Sequence, residues 1–416
     1  MRQVERHIVK ENSPFWKQID NLCFLSKNLY NYANYLIRQS FIFDKIYLGF
    51  NQVYHLVKDQ PDYQALPRKV SQQVLRVLAQ NWKSFFEANK AYQSTPDKFT
   101  GRPKLPKYKH KTQGRNLLIY TIQAISKPGL KKGIVKLSGT EIAVPTKAQN
   151  IAQARIIPKV GQYVIEIIYE QAQAHTVTNP EAIAAIDIGV DNLATLTSNQ
   201  PGFVPILVNG RPLKSLNQFY NKIKAKLQSQ LPDKQPTSKR IKKLTSKRNN
   251  RVDSYLHQAS RCVIDYLDSR GISKLIIGKN PLWKQEINNG KINNQSFVSI
   301  PHSRFVEMLI YKAELKGIKV ILTEESYTSK ASFLTLDPIP TYSSESVPKI
   351  KFSGYRETRG MYKIKGQKTR INADVNGSYN IMRKVIPTVF DGGIEGVVVR
   401  PIRVTPGRAK SGQCYI

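Results

Sequence analysis

Apolar residues recur along this chain with two different periods. Between residues 13 and 92 they return every third or fourth position, as in NLCFLSKNLYNYANYLIRQSFIF, which predicts a block of amphipathic helices. Residues 116–178 carry short runs of β-branched and aromatic residues separated by Gly, Pro and Lys, which predict a small β-barrel or sandwich. The initial RQVERHIVK predicts one more strand of that sheet, with the helical block inserted after it.

A different order of elements follows residue 180. The stretch AAIDIGVDNLATL (residues 184–196) predicts a buried strand, a tight turn and a returning strand, and FVPILVNG predicts a third strand. A long helical pair, a fourth strand (SKLIIG), an amphipathic helix, a fifth strand (residues 318–325) and a helix from Ala373 follow. This order is typical of a ribonuclease-H-like α/β domain, whose central first strand has the fourth and fifth strands beside it.

The predicted fold class is therefore multidomain α+β, with a ribonuclease-H-like α/β domain and a small β-barrel that carries an inserted helical bundle. Within the α/β domain we expect a basic helical arm over 212–270 and an insertion over 331–371. The predicted domains are a β-barrel over 1–12 and 113–178, a helical insertion over 13–112, the α/β domain over 181–390, and a C-terminal tail over 391–416 that is expected to be disordered.

The charge of the chain favours nucleic acid as its partner. Lys and Arg number 65 against 29 Asp and Glu, and this net charge of +36 repels itself unless a polyanion neutralises it. The sequence has no apolar run of about 18 residues and no signal-peptide core, so we expect no membrane contact. Cys23, Cys262 and Cys414 are too scattered to predict a zinc site or a disulfide framework, which favours a cytoplasmic, nucleoid-associated protein.

Two tracts concentrate the basic residues. In residues 99–120 two prolines forbid a continuous helix, so the segment is expected to follow a phosphate backbone while Tyr108 or Phe99 stacks on a base. Residues 221–251 hold eleven Lys or Arg and one acid, Asp233, which favours a phosphate-facing arm over a solvated charged face. The predicted nucleic-acid contacts are Arg102, Lys104, Lys107, Tyr108, Lys109, Lys111, Arg115, Lys239, Arg240, Lys242, Lys243, Lys247, Arg248 and Arg251.

Acidic residues are expected to converge at one edge of the predicted sheet. Asp187 interrupts the apolar first strand, Glu324 and Glu325 end the fifth, and Asp374 opens the last helix. Such carboxylates can hold two Mg²⁺ or Mn²⁺ ions about 4 Å apart, which activate water and stabilise the leaving oxygen in phosphodiester hydrolysis. Each acid also has an ordinary explanation: Asp374 as a helix N-cap, the glutamates as surface acids, and Asp187 as a satisfied buried residue.

Several stretches resemble TnpB, the guide-RNA-directed nuclease encoded by bacterial insertion sequences and considered ancestral to the type V CRISPR effectors. They are NLYNYANYLIRQ, GRPKLPKYK, AIDIGVDNLATL, the YKAELKG–IKVILTEESYTSK block and INADVNGSYNIMRKV, distributed over most of residues 20–386. The resemblance implies a RuvC-like domain that cuts DNA with an Asp–Glu–Asp set and divalent metal. It also implies that the helical block and the β-barrel hold the guide RNA and read a short motif beside the target.

The first departure from the TnpB pattern concerns the middle acid. Most relatives place the catalytic Glu at the end of the fourth strand, where this chain has Gly278. The nearest acid downstream is Glu286, and the fifth strand offers Glu324 and Glu325 instead. Successive strand residues face opposite ways, so only one of this pair can point at the metals, and we favour Glu325. The alternative is a site that has lost its middle acid.

The second departure concerns the zinc ribbon that relatives usually carry between residues 330 and 372. This segment has no Cys or His, so no structural zinc is expected, and it must fold as a hairpin or stay mobile. Its aromatic and basic residues fit either a flap that contacts a nucleic-acid strand or a plain surface insertion; they are Tyr355, Arg356, Arg359 and Tyr362.

The resulting hypothesis is a transposon-encoded, RNA-guided, metal-dependent DNA endonuclease with Mg²⁺ or Mn²⁺ at Asp187, Glu325 (or Glu324) and Asp374. Its predicted partners are a guide RNA and a DNA target in double-stranded and single-stranded form. Two alternatives stay open: an RNA-guided DNA-binding repressor without nuclease activity, and a transposase that joins DNA strands with the same acids. An actin-like or sugar-kinase-like ATPase is disfavoured, because the sequence lacks a second D-x-G and a glycine-rich adenosine loop and has the wrong charge.

Overall fold

The chain divides into two compact units, Met1–Gln171 and Ala172–Ile416. Each unit has its own buried apolar core. The acids singled out from the sequence all belong to the second unit. The computed structural model describes residues 1–172, 179–232, 235–279, 299–341 and 350–407.

The first unit combines a main antiparallel sheet with long helices. Its elements are, in chain order, β1 (Arg2–Val9), α1 (Trp16–Gln39), α2 (Phe50–Val57), α3 (Pro61–Gln64), α4 (Arg68–Ser94), β2 (Leu118–Thr121), α5 (Lys127–Lys131), β3 (Ile134–Lys136), β4 (Ala143–Pro145), β5 (Ile151–Lys159) and β6 (Gln162–Glu170). The main sheet has the order β1-β6-β5-β2, and β3 pairs with β4 in a separate hairpin.

The N-terminal strand predicted from the sequence is present. β1 pairs with β6 along its whole length, from Arg2 opposite Glu170 to Val9 opposite Tyr163. Helices α1 and α4 pack against each other and against β2, and they bury Trp82 in the core they share. As far as the described residues show, the main sheet is open with β1 and β2 at its edges, so the predicted barrel remains a prediction.

The second unit is a mixed sheet with helices on both faces. Its elements are, in chain order, β7 (Ile183–Asp187), β8 (Asn192–Ser198), β9 (Ile206–Asn209), α6 (Arg211–Gln228), α7 (Lys239–Ser269), β10 (Lys274–Gly278), α8 (His302–Leu315), β11 (Lys319–Thr323), β12 (Gly354–Thr358), β13 (Met361–Ile364), β14 (Arg370–Asn372), α9 (Ala373–Val385) and β15 (Ile402–Val404).

The main sheet of the second unit has the order β11-β10-β7-β8-β9-β15. β7 runs parallel to β10, and β10 runs parallel to β11, whereas β8 and β9 are antiparallel to their neighbours β7 and β8. Ala184 and Ile186 of β7 join the core that includes α7 and α8, and Ile183 and Ala185 join the core that includes α9. Burial on both faces explains why β7 is continuously apolar until Asp187.

Three details differ from the sequence-based expectations. β11 ends at Thr323, so Glu324 and Glu325 follow the strand instead of ending it. The tail that was expected to be disordered contributes β15, which pairs with β9 and is only three residues long, too short to show a period in the sequence. Cys262 is disulfide-bonded, so its scattered position did not exclude a disulfide, whereas Cys23 is free and buried.

The described helices also bear on membrane contact. Among them, none combines the length and the apolar composition that a membrane span requires.

Candidate functional site

The carboxyl ends of β7, β10 and β11 lie side by side at one edge of the second unit's sheet. Ile277 of β10 pairs with Ile186, one residue before Asp187, and Gly278 pairs with Thr323 of β11. Parallel strands that end in register present the residues that follow them at one edge of the sheet. Asp187 therefore shares this edge with the residues that follow β11.

Helix α9 brings Asp374 to the same edge. The side chain of Asn372 caps this helix by accepting hydrogen bonds from the backbone N–H groups of Asp374 (3.0 Å) and Val375 (3.1 Å). Asp374 lies in the first turn, so the interpretation of Asp374 as the N-cap is wrong. Its Oδ2 accepts a 2.8 Å hydrogen bond from Nδ2 of Asn192, at the start of β8.

Gly377, one turn further along α9, permits a close approach between this helix and β7. A Cβ placed on Gly377 would lie 2.9 Å from Oδ2 of Asp187. That distance is shorter than Cβ atoms tolerate, so a larger residue would push the carboxylate or the helix away. The glycine thus allows Asp374 and Asp187 to share one small region.

Three buried polar residues of the NADVNGSYN segment hold α9 in place. Asn376 and Asn380 donate hydrogen bonds of 2.8 and 2.7 Å to the backbone oxygen of Ala331, in the segment after β11. Ser378 donates to the backbone oxygen of Ala185 on β7 at 3.0 Å. Because all three side chains are fully buried, each bond satisfies a group that would otherwise be costly to bury. These bonds fix the helix to both flanking elements.

Glu325 fills the space beside Gly278. A Cβ placed on Gly278 would lie 2.6 Å from Oε1 and 2.8 Å from Cγ of Glu325, and 2.7 Å from Cδ1 of Ile381 on α9. The carboxylate of Glu325 therefore lies where a side chain at the end of β10 would project. A strand-ending acid and Glu325 could not occupy this place together.

Glu324 turns away from that place. It forms an ion pair with Lys384 of α9, and the backbone N–H of Ser326 donates a 2.7 Å hydrogen bond to its Oε2. Lys384 is 7% exposed and also donates to the backbone oxygens of Ser326 (2.8 Å) and Pro340 (3.3 Å). The two glutamates thus have separate surroundings, as expected for neighbours of which only one faces the site.

The acids differ in their tendency to hold a proton. Burial, followed by the nearby charges of Glu325 and Asp374, raises the pKa of Asp187 well above its ordinary value. Burial and the charge of Glu324 raise the pKa of Glu325 to about 7. Burial also acts to raise the pKa of Glu324, but hydrogen bonds from Lys384 and Ser326 hold it below the usual range. Negative charge is therefore crowded around Asp187 and compensated around Glu324.

The donor chemistry of Asp187, Glu325 and Asp374 fits a hard divalent cation. All three offer carboxylate oxygens, the ligands that Mg²⁺ and Mn²⁺ prefer, and a cation would offset the burial and the repulsion that together raise the pKa of Asp187. Oδ1 of Asn192 is also buried without a hydrogen-bond partner next to this group. The side chains are not drawn into a coordination shell: within the part of the chain that the structure describes, no cluster of three or more acidic, His or Cys residues is arranged to hold an ion.

A small antiparallel sheet from the predicted insertion, β12-β13-β14, supplies cations to this edge. Arg356 on β12 lies 2.7 Å from Oδ1 of Asp374, and Arg359 lies 3.1 Å from Oδ2 of Asp191. Tyr362 is 1% exposed and donates to the backbone oxygen of Lys330, so it belongs to the core of this sheet and not to a strand-contacting surface.

The insertion is closed without cysteine by a buried carboxylate. Oδ2 of Asp337 accepts hydrogen bonds of 2.9 Å from the backbone N–H groups of Ser332 and Ser353, and Oδ1 accepts one of 3.1 Å from the hydroxyl of Thr335. Burial acts to raise the pKa of Asp337, but these bonds and one from the hydroxyl of Ser353 hold it below its usual value. The bonds join residues 332–337 to Ser353; residues 342–349 between them lie outside the described residues.

The basic segment 99–115 is extended and is held along α1. Asn31 donates to the backbone oxygen of Lys109 and accepts from its N–H, both at 2.9 Å, and Lys27 donates to Lys111 O at 2.6 Å. Asn34 and Arg38, further along the same stripe of α1, donate to the backbone oxygen of Pro106 at 3.0 and 3.1 Å. The predicted contacts whose side chains remain exposed are Arg102, Lys104, Lys107, Tyr108 and Lys111.

Two predicted contacts of this segment are engaged within the first unit. Arg115 forms a bidentate ion pair with Asp20, with distances of 2.8 and 2.7 Å, and Lys109 lies over the ring of Tyr30. Their roles in nucleic-acid binding remain predictions, but each would have to leave an existing partner.

The basic residues predicted in the second unit lie on the first turns of α7. Arg248 differs from the others, because its guanidinium donates to Oδ1 of Asn217 (2.8 and 2.6 Å) and to the backbone oxygen of Ser299 (2.7 Å), which ties α7 to α6 and to the segment before α8. The predicted contacts whose side chains remain exposed on α7 are Lys239, Arg240, Lys242, Lys243, Lys247 and Arg251.

Sequence reasoning did not find Asn192, Gly377 and Lys384. Asn192 follows the tight turn and reads as a turn residue, and Lys384 reads as an ordinary basic residue near a helix end. Gly377 in a helix does carry a signal, because glycine there is unfavourable without a packing reason. Glu286, the other acid considered, lies outside the described residues.

Comparisons with known proteins match the segments that carry these residues. A family model named OrfB_IS605 and described as a probable transposase matches residues 166–283, and a model described as the Cas12f1-like TNB domain matches residues 302–381. The first segment contains Asp187, and the second contains Glu325 and Asp374. No curated protein matched the chain.

Similar solved structures include a chain of a Cas12f1–sgRNA–target DNA complex, 14% identical over 91% of this chain and 98% of that chain, with a TM-score of 0.36. A chain of a CRISPR-Cas12f ternary complex is 12% identical over 88% and 82%, with a TM-score of 0.36. A chain of an AacC2c1–sgRNA–extended non-target DNA ternary complex is 8% identical over 90% and 65%, with a TM-score of 0.39. The two family models match adjacent segments and agree with the motifs of the chain, and together they support a TnpB-like family protein.

Proposed function

We propose that this protein is an RNA-guided, metal-dependent DNA endonuclease of a transposable element. The observation that carries the proposal is the convergence of Asp187, Glu325 and Asp374 at one edge of a ribonuclease-H-like, RuvC-like sheet. The charges of Glu325 and Asp374 both act on Asp187, and Glu325 lies where an acid at the end of β10 would project. The match of two family models to a TnpB-like protein supports the same reaction class.

Mg²⁺ or Mn²⁺ would be held by Asp187, Glu325 and Asp374 and would supply water activation and charge stabilisation for phosphodiester hydrolysis. Asn192 orients the carboxylate of Asp374 through its 2.8 Å hydrogen bond. Lys384 keeps Glu324 away from the site. The buried polar residues of α9 hold the helix rigidly, so the carboxylates are positioned before a substrate arrives.

The proposed nucleic-acid partners are a guide RNA and a DNA target, in double-stranded and single-stranded form. The extended segment 99–115 and the first turns of α7 each present a run of exposed Lys and Arg, the side chains that neutralise phosphates. Tyr108 is 45% exposed and has Arg38 over its ring, an arrangement suited to stacking on a base. These residues are proposed to hold backbones, and base pairing with the guide to select the target.

The test is cleavage of matched DNA by the particle purified with its RNA from cells that express the gene with its flanking DNA. Asp187→Asn should abolish cutting while RNA association and DNA binding persist. Asp265→Asn, which removes the same charge from an exposed position of α7, is the matched control and should cut normally. Full cutting by Asp187→Asn would contradict the proposal.

A second candidate is an RNA-guided DNA-binding repressor. Gly278 favours it, because the acid that relatives place there is missing, and so does the ion pair between Arg356 and Asp374. Tight, guide-dependent DNA binding by the wild-type particle without cutting in either Mg²⁺ or Mn²⁺ would establish it. Joined DNA strands in place of cut ends would instead indicate a transposase.

A further inference from the structure

The contact between Arg356 and Asp374 places a cation on a carboxylate that the proposed function assigns to metal. Nη2 of Arg356 lies 2.7 Å from Oδ1 of Asp374, and the other carboxylate oxygen accepts from Asn192. The Arg356 side chain is 43% exposed, whereas that of Asp374 is 28% exposed. The guanidinium therefore approaches the site from its solvent-facing side.

The neighbouring basic side chains form ion pairs with other acids. Lys384 pairs with Glu324, and both Lys214 and Arg359 pair with Asp191. In the described part of the chain, Arg356 is the basic side chain that forms an ion pair with one of the three proposed metal-binding acids. It is thus the counter-ion of a site in which three carboxylates gather.

We propose that Arg356 is an exchangeable counter-ion: it pairs with Asp374 while the site is free of metal and leaves it when a divalent cation binds. The inference rests on the proposed function, since it takes Asp374 as a metal ligand. A guanidinium and a divalent cation compete for one carboxylate oxygen and repel each other at short range. The released guanidinium, carried by β12 at the edge of the site, is then free to bind a phosphate of the DNA strand.

The chain offers a matched control on the same hairpin. Arg359 lies three residues further on, is 71% exposed, and pairs with Asp191, which is not among the proposed ligands. Arg356→Gln and Arg359→Gln remove the same charge from the same small sheet. A general effect of net charge on cation binding would therefore appear in both variants.

The experiment is calorimetric titration of Mn²⁺ into the purified full chain, without DNA. Arg356→Gln should bind Mn²⁺ with a Kd roughly three- to tenfold lower than the wild type, because a partly exposed competing ion pair is removed. Arg359→Gln should match the wild type. In metal-free buffer the thermal midpoint of Arg356→Gln should fall by a few degrees, and saturating Mn²⁺ should remove that difference.

A second measurement tests the released state. With Mn²⁺ present, Arg356→Gln should make the slope of log DNA affinity against log salt concentration shallower by about one, which corresponds to the loss of one phosphate contact. Arg359→Gln should leave this slope unchanged. Equal or weaker Mn²⁺ binding by Arg356→Gln overturns the exchange, even if the wild type binds metal and cuts DNA. Absence of Mn²⁺ binding in the wild type overturns the proposed metal site and the inference together.

Discussion

Glu324 and Glu325, neighbours in the short segment after β11, have opposite surroundings. On one side, Glu324 pairs with the buried Lys384 and its pKa is held below the usual range. On the other, Glu325 lies against Gly278 and its pKa is raised to about 7 by burial and by the charge of Glu324. Residue type alone therefore does not decide which acid serves the site; the partner that each acid meets does.

The comparison also explains how an acid at a different sequence position can occupy the same location in the site. Gly278 ends β10, and the missing side chain leaves room that Glu325 fills from the segment after β11. β10 and β11 are adjacent and parallel, so their ends are one strand spacing apart, about 4.8 Å, which a glutamate can span. We regard Gly278 and Glu325 as a compensating pair within the proposed site.

The largest effect should come from exchanging the two glutamates for glutamine, one at a time. Glu325→Gln should lower the single-turnover rate of DNA cleavage by roughly a hundredfold or more, because it removes a proposed metal ligand. Glu324→Gln changes the same charge one residue away and should lower the rate by less than about threefold. The reverse order would assign the site to Glu324, and equal small effects would remove both from it.

Adding a side chain at position 278 should displace Glu325 while leaving its carboxylate in the protein. In Gly278→Ala the new methyl group would meet Oε1 of Glu325 at 2.6 Å and Cδ1 of Ile381 at 2.7 Å. We expect about a tenfold slower cleavage and about 1–3 kcal/mol lower free energy of unfolding. Gly392→Ala is the control, because no atom lies within 4 Å of a Cβ there.

The double variant Gly278→Glu with Glu325→Gly sharpens the same comparison. It returns the acid to the strand end that relatives use and removes the Glu325 side chain that would clash with it, so that only the contact with Cδ1 of Ile381 remains to be relieved. Cleavage by the double variant well above that of Glu325→Gln would establish that the two positions serve one place. Activity no higher than that of Glu325→Gln would count against compensation.

Removing the partner of Glu324 should have a moderate effect. Lys384→Met leaves Glu324 and the backbone oxygens of Ser326 and Pro340 without their buried donor, which should lower the free energy of unfolding by about 2 kcal/mol. Cleavage should fall several-fold, because the segment that carries Glu325 loses its anchor on α9.

A double-mutant cycle distinguishes the ion pair between Lys384 and Glu324 from the other contacts of Lys384. If the ion pair is the cause, Lys384→Met should be less damaging when Glu324→Gln is already present, because no unpaired charge is then left. Additive losses in the free energy of unfolding would mean that Lys384 acts through its contacts with Ser326 and Pro340 alone.

The sequence predicts the strands of this site better than it predicts the contacts between them. The apolar runs of β7 and β10 specify these two strands because burial on both faces demands such patterns, whereas β11 is an edge strand without buried residues. The pairing of Glu324 with Lys384 joins residues sixty positions apart, and no local pattern encodes it. Gly278 appears in the sequence only as a missing acid, and its use as space for Glu325 depends on the register of two strands.

In the insertion, too, the sequence does not predict the contacts that hold the segment together. Its lack of Cys and His excludes a zinc ribbon, but the sequence left both a hairpin and a mobile segment open. Asp337 accepts hydrogen bonds from Ser332, Thr335 and Ser353, and so joins the segment after β11 to the residue that precedes β12. A lone aspartate in a polar segment reads as a surface or turn residue, so this role could not be predicted.

The smallest effect concerns pH and again distinguishes the two glutamates. Because the pKa of Glu325 in the folded chain is raised to about 7, the folded state holds this proton more tightly than the unfolded state. The corresponding stability is fully present below the ordinary glutamate pKa of about 4.5 and is lost as pH rises through about 7. In metal-free buffer, the thermal midpoint of the wild type relative to Glu325→Gln should therefore fall between about pH 5 and pH 7.5.

Glu324 should show the opposite sign. Its lowered pKa means that its contribution is present above the ordinary value and is lost on acidification, so Glu324→Gln should differ from the wild type mainly at neutral pH. Saturating Mg²⁺ should reverse the trend for Glu325 alone, because a metal ligand must be deprotonated and its binding then grows with pH. If Mg²⁺ leaves the pH trend of Glu325 unchanged, its raised pKa is unrelated to metal binding, and Glu325 is not one of the proposed metal ligands.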